Sequence, residues 1–600
     1  MSPSGNDGDS RHRRFTPIVE QAISVACVLI AALHLYVAFD PFMSELERNA
    51  FHFAGFGALA ALLFPFIPGN RLATLADVIL AGLVFVSALH LAFAENAIYD
   101  RGVKLSTLDW IAALICIFGA IELTRRLTGW IIPILIILAL TYVAFWGRYI
   151  GGVFAFPGLK PESVVFRSIF GDDAMFGTIA RISSTYVFLF ILFGAFLLRS
   201  GAGEFVINLA RAVAGRLVGG PGIVAVIASG LTGTISGSAV ANTASTGVIT
   251  IPLMKRAGFA PKFAGGVEAA ASTGGQLMPP IMGAGAFVMA SFTQIPYETI
   301  VAVAALPALL YFLSVAFFVR IEARRNNLPP LPSEGQTLKS AFLEGGASFV
   351  LPICLLIGLL VSGFTPTYAA VFGILAVIAS SWLTKNPMGP RAVYEALVNG
   401  TKGMVLTAVL LCSVGLVVNV IATAGIGNTF SLMIASWSGG NILIALVLIA
   451  LASLVLGMGL PVTAAYIVLA TLSAPALAGM ISDQFVITQL AAGTIPEGAK
   501  AIILLGAPEQ AALLAGEISR ADAVALVGSL PLEVAAPLRD IVVPREIALS
   551  ALLSAHMIIF WLSQDSNVTP PVALAAFTAA AIAKAPAMGT GVASWKLAKG

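Results

Sequence analysis

The sequence predicts an all-α polytopic membrane protein containing an internal duplication. Three observations carry that prediction. Hydrophobic residues make up 58% of the 600-residue chain and charged residues 10%, with a mean hydropathy of +0.95; a soluble domain carries about 25% charge. Uncharged runs repeatedly reach the roughly 20 residues that cross a bilayer. Two further stretches, 217–254 and 403–482, are uncharged over much more than one crossing. Both place glycine, proline and hydroxyl residues where lipid favours Leu and Val.

The first five spans are expected at 18–39, 51–68, 72–94, 108–124 and 127–147. Charges separate them, among them Glu45, Glu47, Arg48, Arg71, Glu95, Arg101, Arg125, Arg126 and Arg148. Arg11, Arg13 and Arg14 precede the first run, which is too long for a signal-peptide core and lacks a small-residue cleavage site before Asp40. A retained span with a cytoplasmic N-terminus follows. Residues 1–150 read as a small membrane module, 151–182 as a polar connecting segment, and 183–600 as a larger domain.

In the larger domain a span at 183–199 leads to an amphipathic interfacial helix at 202–216. The uncharged run 217–254 follows. Arg211 and Arg216 stand before it and Lys255, Arg256 and Lys262 after it, so both ends favour the cytoplasm. Thirty-eight residues exceed one crossing, and Gly230, Gly233 and Gly237 are expected to break the run. The simplest solution is a re-entrant helical hairpin, whose non-helical backbone is tolerated only where protein buries it or it lines a cavity. Its polar core reads GTISGSAVANTAS, residues 233–245. Next, GGVEAAASTGGQLMPPIMGAGAFVMA at 265–290 reads as a helix interrupted at Thr273-Gly274-Gly275 and Pro279-Pro280. Proline frees carbonyls of the preceding turn, and a half-helix N-terminus suits an anion. A plain span at 297–319 returns to Arg320, Arg324 and Arg325.

The pattern then recurs. After a cytoplasmic stretch at 320–348 come spans at 349–363 and 367–384. A second turn lies in GMGLPVTAAYIVLA, 457–470, and a second interruption in SQDSNVTPPVALAAFTAAA, 563–581. Ser238 and Pro279 are 41 positions apart, Pro461 and Pro570 109. Removing an interposed, net acidic segment at about 481–547 makes the spacings nearly equal. That segment reads as a small helical excursion on the non-cytoplasmic side. Paired interrupted helices with paired hairpins point to an inverted-repeat secondary transporter.

Other classes fit poorly. Cys27, Cys116, Cys354 and Cys412 lie singly in apolar runs without metal-ligand spacing, as small buried hydrophobes do. The five histidines are scattered. No Walker-type phosphate loop, no H-E-x-x-H and no G-x-S-x-G occurs, so neither nucleotide hydrolysis nor a membrane-embedded enzyme is expected. The net charge of +3 carries no basic cluster for nucleic acid.

FLFILFGAFLLRSGAGEF (188–205), GTISGSAVANTASTGVITIPLMKRAGF (233–259), EAAASTGGQLMPPIMGAGAFVMA (268–290), GMGLPVTAAYIVLA and SQDSNVTPPVALAAF together resemble fused permease subunits of tripartite ATP-independent periplasmic (TRAP) transporters. ASTGVITIPLM and QDSNVTPP look most like the subgroup served by TAXI-type binding proteins. The resemblance covers about 170–480 and 550–595; residues 1–150 resemble the small membrane subunit in span count and position. It implies an elevator-type transporter of the bacterial inner membrane with two re-entrant hairpins flanking the substrate. It also implies carboxylate substrates, a periplasmic TAXI-type solute-binding protein as partner, and coupling to sodium or to protons, with no other cofactor. A symporter working without a binding protein is the alternative. The family pattern ends with a further span after the second interruption, so a shortened or incomplete C-terminus is expected at Lys599-Gly600.

For substrate contact the expected residues are Ser236, Ser238, Asn242, Thr243 and Ser245, with Thr463 and Thr569. The plainer reading of this cluster is tight helix packing with hydroxyls bonded back to their own helix. For the coupling ion, sodium included, they are Thr273, Gly274, Gly275, Gln276, Gly457, Gly459, Asp565, Ser566 and Asn567. Glu268 and Asp565 are the candidate proton carriers, intramembrane carboxylates being functional by default. Glu268 reads equally as a group near the cytoplasmic boundary.

Overall fold

A computed structural model describes residues 13, 15–102, 104–330, 337–457, 459–514 and 518–599. Arg11 and Arg14 of the N-terminal basic cluster lie outside the described residues. Among the described residues the chain is helical without strands, and ten helices are long and apolar enough to cross a membrane.

The first helices are α1 (Pro17–Phe39), α2 (Glu45–Leu63), α3 (Arg71–Phe93), α4 (Thr107–Thr128) and α5 (Ile131–Thr141). Helix α2 starts and ends several residues before the expected 51–68. Ser44 and Glu47 set its start as a capping box: the Glu47 amide donates to the Ser44 hydroxyl at 3.1 Å, and the Ser44 amide to the Glu47 carboxylate at 2.9 Å. Charges that read as loop are thereby the first turn of a helix.

The larger part opens with α6 (Phe188–Arg199) and the amphipathic α7 (Ala202–Ala214). The first hairpin is α8 (Gly220–Ser236) and α9 (Ala239–Arg256). It turns at Gly237 alone, where φ is +62°, and the Ser238 side chain caps α9. Gly230 and Gly233 do not break α8 as expected. They admit close neighbours: a Cβ at Gly230 would meet the Phe312 ring at 2.7 Å, and one at Gly233 the Gly275 Cα at 2.7 Å. The interrupted helix is α10 (Pro261–Gly275) and α11 (Ala284–Thr293), followed by α12 (Tyr297–Arg325). Thr273, Gly274 and Gly275 form the last turn of α10, so the break itself is 276–283.

Helices α13 (Ala347–Val361) and α14 (Pro366–Ser381) lead to α15 (Pro390–Thr423), 34 residues long, or about 51 Å at 1.5 Å per residue. It packs against α1, α2, α4, α5 and α6. Its Thr401 hydroxyl donates to the Cys27 carbonyl at 3.1 Å, and its Ser413 accepts from Thr124 at 2.8 Å. Then come α16 (Ile426–Ser438) and the second hairpin, α17 (Ile442–Gly457) and α18 (Val462–Ala491). The stretch expected as interposed, about 481–547, starts inside α18, which runs unbroken to Ala491. Beyond it α19 (Glu497–Gly506), α20 (Arg520–Ser529) and α21 (Leu532–Val542) share an apolar core that includes Leu490, Ile503, Leu526 and Leu538. Arg539 clamps Asp483 of α18 bidentately at 2.7 and 2.9 Å.

The second interrupted helix is α22 (Arg545–Ser563), a short turn Asp565–Val568, and α23 (Leu574–Ala583); α24 (Ala587–Ala598) follows. Helices α11 and α23 have 10 residues each, about 15 Å, half of a ~30 Å hydrocarbon layer. Each hairpin packs on both interrupted helices. The first hairpin packs on α10 and on α23 of the other repeat; the second packs on α22 and, through α18, on α11 of the first.

Candidate functional site

The two breaks meet. Gln276 and Asn567 each stand three positions before the first proline of their pair, and the Asn567 amide donates to the Gln276 Oε1 at 3.1 Å. Gln276 in turn donates from Nε2 to the Gly237 carbonyl at the tip of the first hairpin, 2.7 Å away. Gly457 at the end of α17 lies beside Ser566: a Cβ there would meet that side chain at 3.7 Å. Both hairpin ends and both breaks therefore converge on one junction. Each proline pair is joined by a cis bond.

Proline does free carbonyls in the first break, and hydroxyls take them up. Thr234 donates to the Met278 carbonyl at 2.6 Å, and Tyr297 to the carbonyls of Pro280, at 3.1 Å, and Ile281. The Gly283 amide closes the loop on the Gln276 carbonyl at 2.8 Å. In the second break the Thr569 amide bonds the Asp565 carbonyl at 2.8 Å, while the Thr569 hydroxyl is buried without a partner.

Beneath the first break lies a buried carboxylate. Glu268 on α10 is 0% exposed, so it is not a solvated group. Its Oε1 accepts from Ser229 of α8 at 2.7 Å, from Thr246 of α9 at 2.5 Å and from Ser272 at 3.1 Å; its Oε2 accepts from Thr250 of α9 at 2.5 Å. Asn242 connects this cage to the hairpin, donating to the Ser229 carbonyl at 2.8 Å and to Ser272 at 3.0 Å.

The expected residues divide accordingly. Asn242 and Thr243 are fully buried, and the Asn242 Oδ1 and Thr243 hydroxyl have no partner. Ser236 and Ser238 are half-buried at the hairpin turn; Ser245 is exposed and bonds back to the Asn242 carbonyl at 3.0 Å. The Thr273 hydroxyl also turns back, to Ala269 at 2.7 Å, and Gly274 and Gly275 serve contact with Tyr311 and Gly233. Ser566 donates to the Ser563 carbonyl at 3.1 Å. Asp565 is held by the Lys599 ammonium at 2.6 Å. Gly459 packs against Ile131 of α5, and Thr463 is half-buried in the first turn of α18.

Sequence reasoning missed Ser229, Thr246, Thr250, Ser272 and the Asp565–Lys599 pair. A signal was present: Ser238, Asn242, Thr246 and Thr250 recur every four residues and line one face of α9, as Glu268 and Ser272 do on α10. A cavity of about 660 Å³ lies elsewhere, lined by Lys104, Glu162, Arg167, Asp172, Asp173 and Asn419. There, burial and the neighbouring Asp172 raise the Asp173 carboxyl above its usual range.

The family model described as "Tripartite ATP-independent periplasmic transporter, DctM component" matches residues 115–598. The chain is 29% identical over 280 residues to the C4-dicarboxylate TRAP transporter large permease protein DctM of Pseudomonas aeruginosa, covering 46% of this chain and 63% of that one. It is 30% identical over 267 residues to the Vibrio cholerae protein of the same name, covering 42% and 58%. To the sialic acid TRAP transporter large permease protein SiaM of Vibrio cholerae it is 27% identical over 250 residues, covering 41% and 57%. The matches span about three fifths of the length of these relatives.

Proposed function

The chain belongs to the DctM-component family of TRAP transporters, and from that premise we propose that it performs secondary active uptake of a small organic anion, a carboxylate or dicarboxylate. In this reading the driving force is a sodium or proton gradient. The substrate is delivered by a periplasmic TAXI-type solute-binding protein to a permease of the bacterial inner membrane whose N-terminus is cytoplasmic. The chain is a multi-pass membrane protein, and its relatives are named as transporter permeases rather than enzymes.

The observation that carries the proposal is the Gln276–Asn567 contact, which joins two broken helices and a hairpin tip at one place. Broken helices leave backbone groups and half-helix dipoles available at mid-membrane. The buried hydroxyls of Thr243 and Thr569 have no partner of their own, and a carboxylate supplies the acceptors that such donors lack. The cation at the second break is already engaged, Lys599 by Asp565. An anion would therefore be held by hydroxyls and amides; were sodium the coupling ion, Gln276, Ser566 and Asn567 would line its site. One hairpin and its two half-helices would carry the cargo, elevator fashion, past the helices around α15, with residues 1–150 in the fixed part.

The test is uptake into proteoliposomes holding the full chain, with and without a cognate binding protein loaded with its radiolabelled ligand. The expected result is accumulation that needs both the binding protein and a cation gradient, and that Asn242→Ala abolishes while the protein remains monodisperse. Accumulation without any binding protein would instead identify a stand-alone symporter. Absence of uptake under every gradient would overturn the proposal.

A further inference from the structure

We propose that Glu268 is the proton-carrying group of this transporter, binding and releasing one proton in each cycle inside its cage of four hydroxyls. This rests on the transport reading above and deepens it by assigning the coupling ion and its site.

The cage fits a proton. Ser229, Thr246, Ser272 and Thr250 place hydroxyl oxygens 2.5–3.1 Å from the carboxylate oxygens, in direct hydrogen-bond contact. A hard cation such as calcium stands about 2.3–2.6 Å from each oxygen ligand, so seating one among these oxygens would push them apart. The hydroxyls also have somewhere else to point. Thr246 lies 2.7 Å from the Asn242 carbonyl, and Thr250 lies 3.1 Å from the Thr246 carbonyl. With the carboxylate ionised, the hydroxyl hydrogens turn toward it. When a proton binds at Oε2, the new O–H donates to the Thr250 oxygen, and the Thr250 hydrogen swings to the Thr246 carbonyl. Hydroxyl rotation thus serves both protonation states with no heavy atom displaced.

Among the described residues no fixed positive charge is paired with Glu268. Helix α10 carries Lys262 in its first turn, and α9 carries Lys255, bonded to the Ala583 carbonyl at 2.7 Å, and Arg256 at its far end. Helix α8 has no charged residue, and neither has α23, whose C-cap Lys584 is exposed. Helix α24 has the exposed Lys596, and Lys599 beyond it pairs with Asp565. On α12, Tyr311 donates to the Ala270 carbonyl at 2.8 Å, and Glu298, Arg320, Glu322, Arg324 and Arg325 occupy the two ends. Glu204 and Arg211 lie on α7. None forms an ion pair with Glu268. A lone carboxylate moved through a low-dielectric region carries a large solvation penalty that a bound proton removes. The Ser272–Asn242–Ser229 links give the hairpin a stake in which state is present.

The test is infrared difference spectroscopy of the full chain in liposomes, between acidic and alkaline buffer. The expected result is a protonated-carboxyl band that is lost as pH rises, missing in Glu268→Gln, and unmoved by sodium at fixed pH. Thr250→Val removes a charge-assisted bond to the ionised form, roughly twice as strong as the neutral bond it removes from the protonated form, and should shift the band's midpoint to higher pH, a readout that a purely structural role would not move. Should Glu268→Gln fail to fold, that shift decides alone. A band that is the same in Glu268→Gln, a midpoint unmoved in Thr250→Val, or loss of the band on adding sodium would overturn the proposal. Uptake of radiolabelled succinate, measured with a binding protein that takes it, separates the two readings. Wild-type protein that titrates but transports nothing sinks the transport reading alone, and Glu268→Gln that keeps pH-gradient-driven uptake sinks the proton site alone.

Discussion

Eleven positions before the first proline of its pair, the first broken helix carries Glu268 and the second carries Ile559. Both side chains are fully buried, in opposite surroundings. Glu268 sits among four hydroxyls on three helices. Ile559 lies in the main apolar core beside Phe560, and three positions back along its helix His556 bonds to Tyr466 at 2.9 Å. Three positions before the prolines the repeats match instead, and Gln276 and Asn567 bond to each other. The broken-helix device occurs twice, while a carboxylate caged by hydroxyls at this position stands in one of the two, because a buried carboxylate is tolerable only where donors surround it.

The sharpest way to break this comparison is Ile559→Glu. With no cage to receive it, the carboxylate should destabilise the protein by about 3–5 kcal/mol, as an uncompensated buried charge does. Thermal unfolding in detergent should show a large fall; a melting temperature like that of the parent would mean that the two sites do not differ in solvation. Next is Gly275→Val. Its Cβ would meet the Gly233 Cα at 2.5 Å, and overpacking of that kind costs about 1–3 kcal/mol. Gly457→Ala, facing Ser566 at ordinary contact distance, should stay within about 0.5 kcal/mol. Equal effects would remove the distinction between the two hairpins. A double-mutant cycle on Gln276→Ala and Asn567→Ala should return a coupling of about 1 kcal/mol, and zero coupling would mean that the repeats merely adjoin. Smallest is Lys599→Ala: its ion pair with Asp565 is partly exposed, so about 0–1 kcal/mol is expected.

Much of this was legible beforehand. The proline pairs located both breaks, and of the three glycines expected to break the first hairpin Gly237 alone marks its turn, because these residues act on the backbone within a residue or two. The glycines were harder. Gly230, Gly233 and Gly275 look like breakers alone, and their purpose emerges only when Phe312 and the facing backbone arrive from distant sequence. The Glu268 cage was missed for the same reason: its donors come from α8, α9 and α10, and only the four-residue stripe on α9 hinted at it. Lys599 and Asp565 are 34 positions apart, beyond any local pattern. The start of α2 is signalled by Ser44 and Glu47, whose polar side chains resemble a loop but act as caps.

The long helix α15 carries a consequence for how the chain is joined. Residues before 150 adhere to it through four helices, and the Thr401 and Ser413 hydroxyls stitch it to Cys27 and Thr124. Severing the polypeptide near 155 would therefore cost the molecule a peptide bond and leave the two fragments clasped; co-expressed, they should elute as one species.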